Sequence, residues 1–116
     1  MKLAVCSVFN HDKNIIANSI GNSDAFLIFD FNSKKIFEEI LENKFKNSAN
    51  PEIFCAQLII SKGVNAVVCS YFEDDAKKLF VEAKINLIEN ADENVKTFLN
   101  RYLLNNVHMD NIPSHI

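Results

Sequence analysis

Two short segments carry the residues best suited to chemistry. Leu3-Ala4-Val5-Cys6-Ser7 and Ala66-Val67-Val68-Cys69-Ser70 repeat one theme, an apolar run that ends in a thiol and a hydroxyl. Each reads as a buried β-strand. If the two lie side by side and parallel, strands about 4.8 Å apart bring two thiols to one sheet edge, provided both side chains take the same face. Two thiolates there would form a soft ligand pair for iron or another thiophilic metal. Cys55 from a helix start and His11 from a long loop are the further candidates for the same edge. The competing reading is structural: free cysteine is among the most buried residue types and packs as a small hydrophobe, and no Cys-x-x-Cys spacing compacts a ligand set here.

Other polar residues have simpler explanations. His11 beside Asp12 reads first as a solvated loop residue, and His108 and His115 belong to a C-terminal tail. Glu73, Asp74 and Asp75 at a helix start complement its dipole. Asp30 and Asn32 suit a turn. Two-metal phosphodiester cleavage needs converging carboxylates, and the first strand, Lys2 to Val8, has none. Glycine-rich phosphate loops, a Gly-x-Ser-x-Gly elbow and a His-Glu-x-x-His helix are all missing, so no standard catalytic constellation marks an enzyme.

The elements that position the thiols follow from patterning. Lys2 to Val8 is continuously apolar, as expected of a central strand covered on both faces. Phe9 to Asp24 reads as a long polar loop. Phe26 to Phe31 and Ile36 to about Lys44 form an antiparallel hairpin around Asn32-Ser33-Lys34-Lys35. Asn50 is placed to cap a helix that Pro51 begins and Gly63 ends, with a broad apolar face from Ile53, Phe54, Ala56, Leu58 and Ile60. Asn65 to Ser70 is the second buried strand. A helix follows from about Glu73 to Ala83, with Ala76, Leu79, Phe80 and Ala83 on one side. Ile85 to Ile88 is a short strand, and Asn90 or Asp92 caps a last helix bearing Val95, Phe98, Leu99 and Tyr102. From Asn105 onward the chain reads as a frayed tail. The expected sum is an α/β domain with a mixed five-stranded sheet and helices on both faces.

Composition narrows the classes. The 116 residues, 48% hydrophobic and 23% charged, suffice for one domain with its own core. A net charge of -3, with Arg101 the single guanidinium among twelve basic residues, argues against nucleic-acid binding. No apolar run approaches the roughly 20 residues needed to cross a bilayer, and no signal-peptide order is present, so no membrane association and a cytoplasmic location are expected. Three cysteines without a secretory signal should be thiols at rest.

Several segments resemble a known family. Met1-Lys2-Leu3-Ala4-Val5, Ala25-Phe26-Leu27-Ile28-Phe29-Asp30, the stretch from Ala56-Gln57-Leu58 through Lys62-Gly63-Val64 into Ala66-Val67-Val68, and the Val95 to Leu99 helix are similar to the dinitrogenase iron-molybdenum cofactor biosynthesis family, the NifX-like proteins. The resemblance spans residues 1–104. It implies a three-layer ribonuclease H-like fold and an accessory role: transient binding of an iron-sulfur or iron-molybdenum cluster precursor, and a partner in cofactor biosynthesis or a recipient metalloprotein. Two departures stand out. The family's Phe-Gly pair, often preceded by His or Arg, is Ser19-Ile20-Gly21 here, so the family's cofactor-binding His has no counterpart at that place. Its glycine-rich turn after the second buried strand is Tyr71-Phe72-Glu73-Asp74-Asp75. The alternative function is a cofactor-free interaction module, in which ten phenylalanines and the hairpin edge support a homodimer or another partner surface.

Overall fold

In the computed structural model, residues 1–32, 35–89 and 93–106 are described, with only the backbone at positions 32, 35, 37 and 103–106. The chain runs β1 (Lys2–Asn10), β2 (Lys13–Ile16), β3 (Ala25–Asn32), β4 (Lys35–Glu42), α1 (Pro51–Ser61), β5 (Ala66–Cys69), α2 (Asp74–Glu82), β6 (Asn86–Glu89) and α3 (Val95–Asn106). The sheet order is β4-β3-β1-β5-β6, and β2 pairs with β1 off this path. β1, β5 and β6 are parallel, while β2, β3 and β4 add antiparallel ladders.

The expected five strands are therefore six. What reads as one polar loop from Phe9 to Asp24 contains β2, whose Ile15 and Ile16 sit opposite Val8 and Ser7. A tight turn at His11, with φ 57°, reverses the chain between the two strands. Four residues with two isoleucines carry too weak a periodicity to mark a strand against their polar surroundings. The β3–β4 hairpin is present, and its register runs unbroken from Ala25–Glu42 to Asn32–Lys35.

Period-two alternation divides the core. Ala4, Cys6, Phe26, Ile28, Val67 and Cys69 pack with Cys55, Ala56 and Ile59 of α1 and with Ala76 and Phe80 of α2. Leu3, Val5, Leu27, Phe29, Ala66 and Val68 pack with Val95, Phe98 and Leu99 of α3. Both faces of β1 and β5 are thus covered over Leu3 to Cys6 and Ala66 to Cys69, which is why those stretches are continuously apolar.

Two local expectations need correction. Asn50 stands at the helix N-cap in a left-handed conformation (φ 53°, ψ 53°), but its side chain makes no capping bond; the backbone geometry, not the amide, starts α1. The buried face of α1 is Cys55, Ala56 and Ile59, and Phe54 lies 45% exposed, because α1 meets the sheet along a narrower stripe than its apolar content implies. At the C-terminus α3 ends at Asn106, within two residues of the boundary expected after residue 104. Ser33, Lys34, the alternative caps Asn90 and Asp92, and the tail from Val107 with His108 and His115 lie outside the described residues.

Candidate functional site

β1 and β5 pair in parallel through Leu3–Ala66, Ala4–Val67 and Val5–Val68. Carried one residue further, the same offset sets Cys6 level with Cys69. Both side chains belong to the α1/α2 face, and Cys55 reaches that cluster from the second turn of α1. The three thiols are free and wholly buried.

Their electrostatics follow from that burial. Desolvation pushes the Cys6 thiol well above its ordinary range. The hydrogen-bonded Cys69 thiol raises it further, and Cys55 adds to the effect, while a hydrogen bond from Ser23 opposes it. Cys55 is pushed up to about 12, first by burial and then by the charges of Glu73 and Glu52, against the Asn43 hydrogen bond. At neutral pH both are protonated. Ligation requires thiolate, so the closed structure holds these thiols in the form that does not bind metal.

One segment, residues 17–24, covers them. The Ala17 carbonyl accepts the Cys69 thiol at 3.3 Å and the Ser70 amide at 2.9 Å, while the Ala17 amide donates to the Cys6 carbonyl at 2.8 Å. Glu73, at the N-terminus of α2, turns its carboxylate to the amides of Ile20 and Gly21 at 3.2 and 3.4 Å. Asn43 donates to the Ser23 and Gly21 carbonyls at 2.8 and 3.3 Å and accepts from the Cys55 thiol at 3.2 Å. Ile20 fills the core beneath. Residues 17–24 thus lie over three thiols, one in the middle of β1, one at the carboxyl end of β5 and one on α1.

Of the residues singled out by type and spacing, Cys6, Cys69 and Cys55 come together. His11 does not join them: it is exposed on the β1–β2 turn, five residues beyond Cys6, or about 16 Å along an extended strand. Among the described residues, no group of three or more histidine, cysteine or carboxylate side chains is arranged to hold a metal ion. Asn43 and Ser23 escaped notice as sequence. A buried Asn between Glu42 and Lys44 has no local signature, since its partners lie across the fold. Glu73 reads locally as a helix-dipole carboxylate, and only the fold reveals its grip on Ile20 and Gly21.

Comparison with known proteins places this architecture. The profile of the family described as dinitrogenase iron-molybdenum cofactor matches residues 1–105. No curated protein matches the chain at a significant level. Among solved structures, the apo form of the orange protein from Desulfovibrio gigas superposes with a TM-score of 0.76 at 19% identity, over 93% of this chain and 91% of that one. A putative NifB protein from Thermotoga gives 0.71 at 18% identity, covering 91% and 89%. A putative dinitrogenase from Methanocaldococcus jannaschii gives 0.60 at 22%, covering 90% and 86%. At these identities the likeness concerns the fold. Among the described residues no helix is long and apolar enough to cross a membrane.

Proposed function

This chain belongs to the dinitrogenase iron-molybdenum cofactor family, and on that premise we propose that it is a non-catalytic accessory protein that takes up an iron-sulfur or iron-molybdenum precursor and passes it on. The same reading regards the three-layer architecture as ribonuclease H-like and the protein as cytoplasmic, working beside a cofactor-biosynthesis or metalloprotein partner. One observation carries it: Cys6 and Cys69 are level with each other on one face of adjacent parallel strands, with Cys55 in the same cluster, under a single cover.

The closed form does not fit the cargo, because protonated thiols in a packed core leave neither ligands nor access. Uptake in this reading begins with lifting of residues 17–24, after which water reaches the thiols and the raised pKa values of Cys6 and Cys55 fall. Apparent affinity is reduced by the fraction of molecules open, a handicap that suits a carrier which must release its cargo. Closure restores the buried hydrogen bonds of Ala17, Ser23 and Asn43, so re-latching competes with retention. His11, remote from the thiols along β1, enters this scheme only if the open form rearranges β2 as well.

The test is anaerobic reconstitution with iron and sulfide, followed by visible absorption and metal content. Wild type should acquire a stoichiometric chromophore. Folded Cys6→Ser/Cys69→Ser and Cys6→Ala/Cys69→Ala variants should acquire none. A colourless, metal-free wild type, or variants that load as well as wild type, would overturn the carrier reading and favour the cofactor-free interaction module.

A further inference from the structure

Beyond Val5–Val68, an ordinary continuation of the parallel β1–β5 ladder would bond the Ser70 amide to the Cys6 carbonyl. The Ala17 peptide takes that place instead: its amide donates to the Cys6 carbonyl at 2.8 Å and its carbonyl accepts from the Ser70 amide at 2.9 Å. The covering segment is thus wedged between the two strands at the level of the two cysteines. Its departure leaves the Cys6 carbonyl and the Ser70 amide to pair with one another, so the sheet closes the gap with a direct bond and buries no unpaired backbone group there.

Cys6 and Cys69 belong to one apolar cluster, and their thiols are hydrogen-bonded to each other. Level residues on paired strands lie about 4.8 Å apart, inside the range of roughly 4.4–6.8 Å between the Cα atoms of a disulfide. The third thiol is engaged elsewhere, since Cys55 donates to Asn43 at 3.2 Å.

We propose that Cys6 and Cys69 form an oxidation site, at which a peroxide closes the pair to an intramolecular disulfide and a thiol reductant reopens it. Buried cysteines are ordinarily inert, because they stay protonated and out of reach. The wedge makes this pair different: lifting of residues 17–24 admits peroxide and at the same time lets the two strands draw together. One sulfur, as thiolate, attacks the peroxide and takes one oxygen, giving a sulfenic acid and a hydroxide that recovers the thiol's proton as water. The second thiol then displaces the sulfenic oxygen as water and forms the S–S bond. Two thiols and one peroxide yield one disulfide and two waters, with sulfur oxidised and peroxide oxygen reduced. A disulfide offers no thiolate to a metal, so the oxidised chain refuses the cargo. That consequence rests on the carrier reading of these thiols; the disulfide itself does not.

The test treats the reduced full chain with hydrogen peroxide, alkylates it in denaturant and maps its peptides by mass spectrometry without reduction. The expected product is a monomer lighter by two hydrogens, with the peptides of Cys6 and Cys69 joined and Cys55 alkylated. Dithiothreitol should return all three thiols. The same treatment in urea should give a mixture of pairings. Glu73→Ala, which frees the amides of Ile20 and Gly21, should speed bond formation several-fold, and Cys55→Ala should still yield the bond. Linkage through Cys55, sulfinic acid without a bond, a product joined between chains, or a folded chain that keeps its three thiols until it unfolds would each overturn the proposal. Reconstitution with iron and sulfide, run on the reduced and oxidised forms without added reductant, separates the two claims. A reduced chain that stays colourless sinks the carrier reading and leaves the disulfide standing, whereas an oxidised chain that holds the Cys6–Cys69 bond and loads like the reduced one sinks the control of cargo by oxidation.

Discussion

The Cys55 thiol donates to Oδ1 of Asn43 at 3.2 Å, and the same amide holds the Ser23 and Gly21 carbonyls through its nitrogen. Asn43 therefore joins a thiol on α1 to the segment that covers the other two. Loss of this side chain leaves buried acceptors and a buried donor without their partner, at about 1–3 kcal/mol. Asn43→Ala should lower the urea midpoint accordingly and accelerate labelling of Cys55 by a thiol reagent. Unchanged labelling with lowered stability would show that Asn43 supports the fold without latching the cover.

Thiol counting offers a direct check on the closed state. Cys6, Cys55 and Cys69 are each 0% exposed. In the native chain at pH 7.5, none should react quickly with an aromatic disulfide reagent, and three should react in denaturant. A fast thiol in the folded protein would contradict the covered arrangement.

The latch should be tunable at Glu73 and Gly21. A Cβ at Gly21 would stand 3.0 Å from Cγ of Pro51 and 3.3 Å from Oε2 of Glu73, so Gly21→Ala makes these side chains give by a few tenths of an ångström and disturbs the Glu73 contact. Glu73→Ala removes the acceptor for two amides and also a charge that raises the Cys55 pKa. Loss of the Glu73 acceptor should cost about 1–2 kcal/mol. Both substitutions should speed thiol labelling and, where reconstitution succeeds, cluster loading. Slower loading in both variants would mean that the closed segment helps to build the binding site rather than guarding it.

Stability should depend on alkaline pH through the same thiols. Cys6 and Cys55 have raised pKa values in the folded chain, so between the ordinary thiol range near 9 and the folded value, about 12 for Cys55, the unfolded state has lost protons that the native state retains. Stability from these groups is complete below about pH 8 and falls as pH rises, by at most about 1.4 kcal/mol per pH unit for each thiol. Denaturant midpoints at pH 7, 8, 9 and 10 should decline above 8.5, and Cys55→Ala should flatten the slope. A slope unaffected by Cys55→Ala would assign the loss to other groups.

Much of the architecture was legible because its cause is local. Leu3 to Cys6 and Ala66 to Cys69 are apolar at every position, as strands covered on both faces require, and Pro51 and Gly63 bracket α1. Val95, Phe98 and Leu99 recur at helical spacing and are buried together against one face of the sheet. The β2 strand was not legible, since Lys13–Ile16 owes its conformation to pairing with the end of β1 rather than to its own pattern. Nor was the exposure of Phe54, since the apolar residues of α1 do not say that Cys55, Ala56 and Ile59 are the ones that face the core.

Residue types and order determined that two buried strands would each carry a thiol and that a polar segment would lie between β1 and the hairpin; the expectation that both thiols end their strands holds for Cys69 alone, since β1 runs on from Cys6 to Asn10. Tertiary structure alone decided that Cys6 and Cys69 share a face, that Cys55 joins them, and that residues 17–24 shut them from water. The reason is physical. Strand periodicity fixes a side chain relative to its own neighbours, but when both faces are apolar it carries no mark of which face is which. That choice rests on the register between β1 and β5, and burial rests on hydrogen bonds accepted by Ala17 and Glu73 and donated by Asn43, whose partners are distant in sequence.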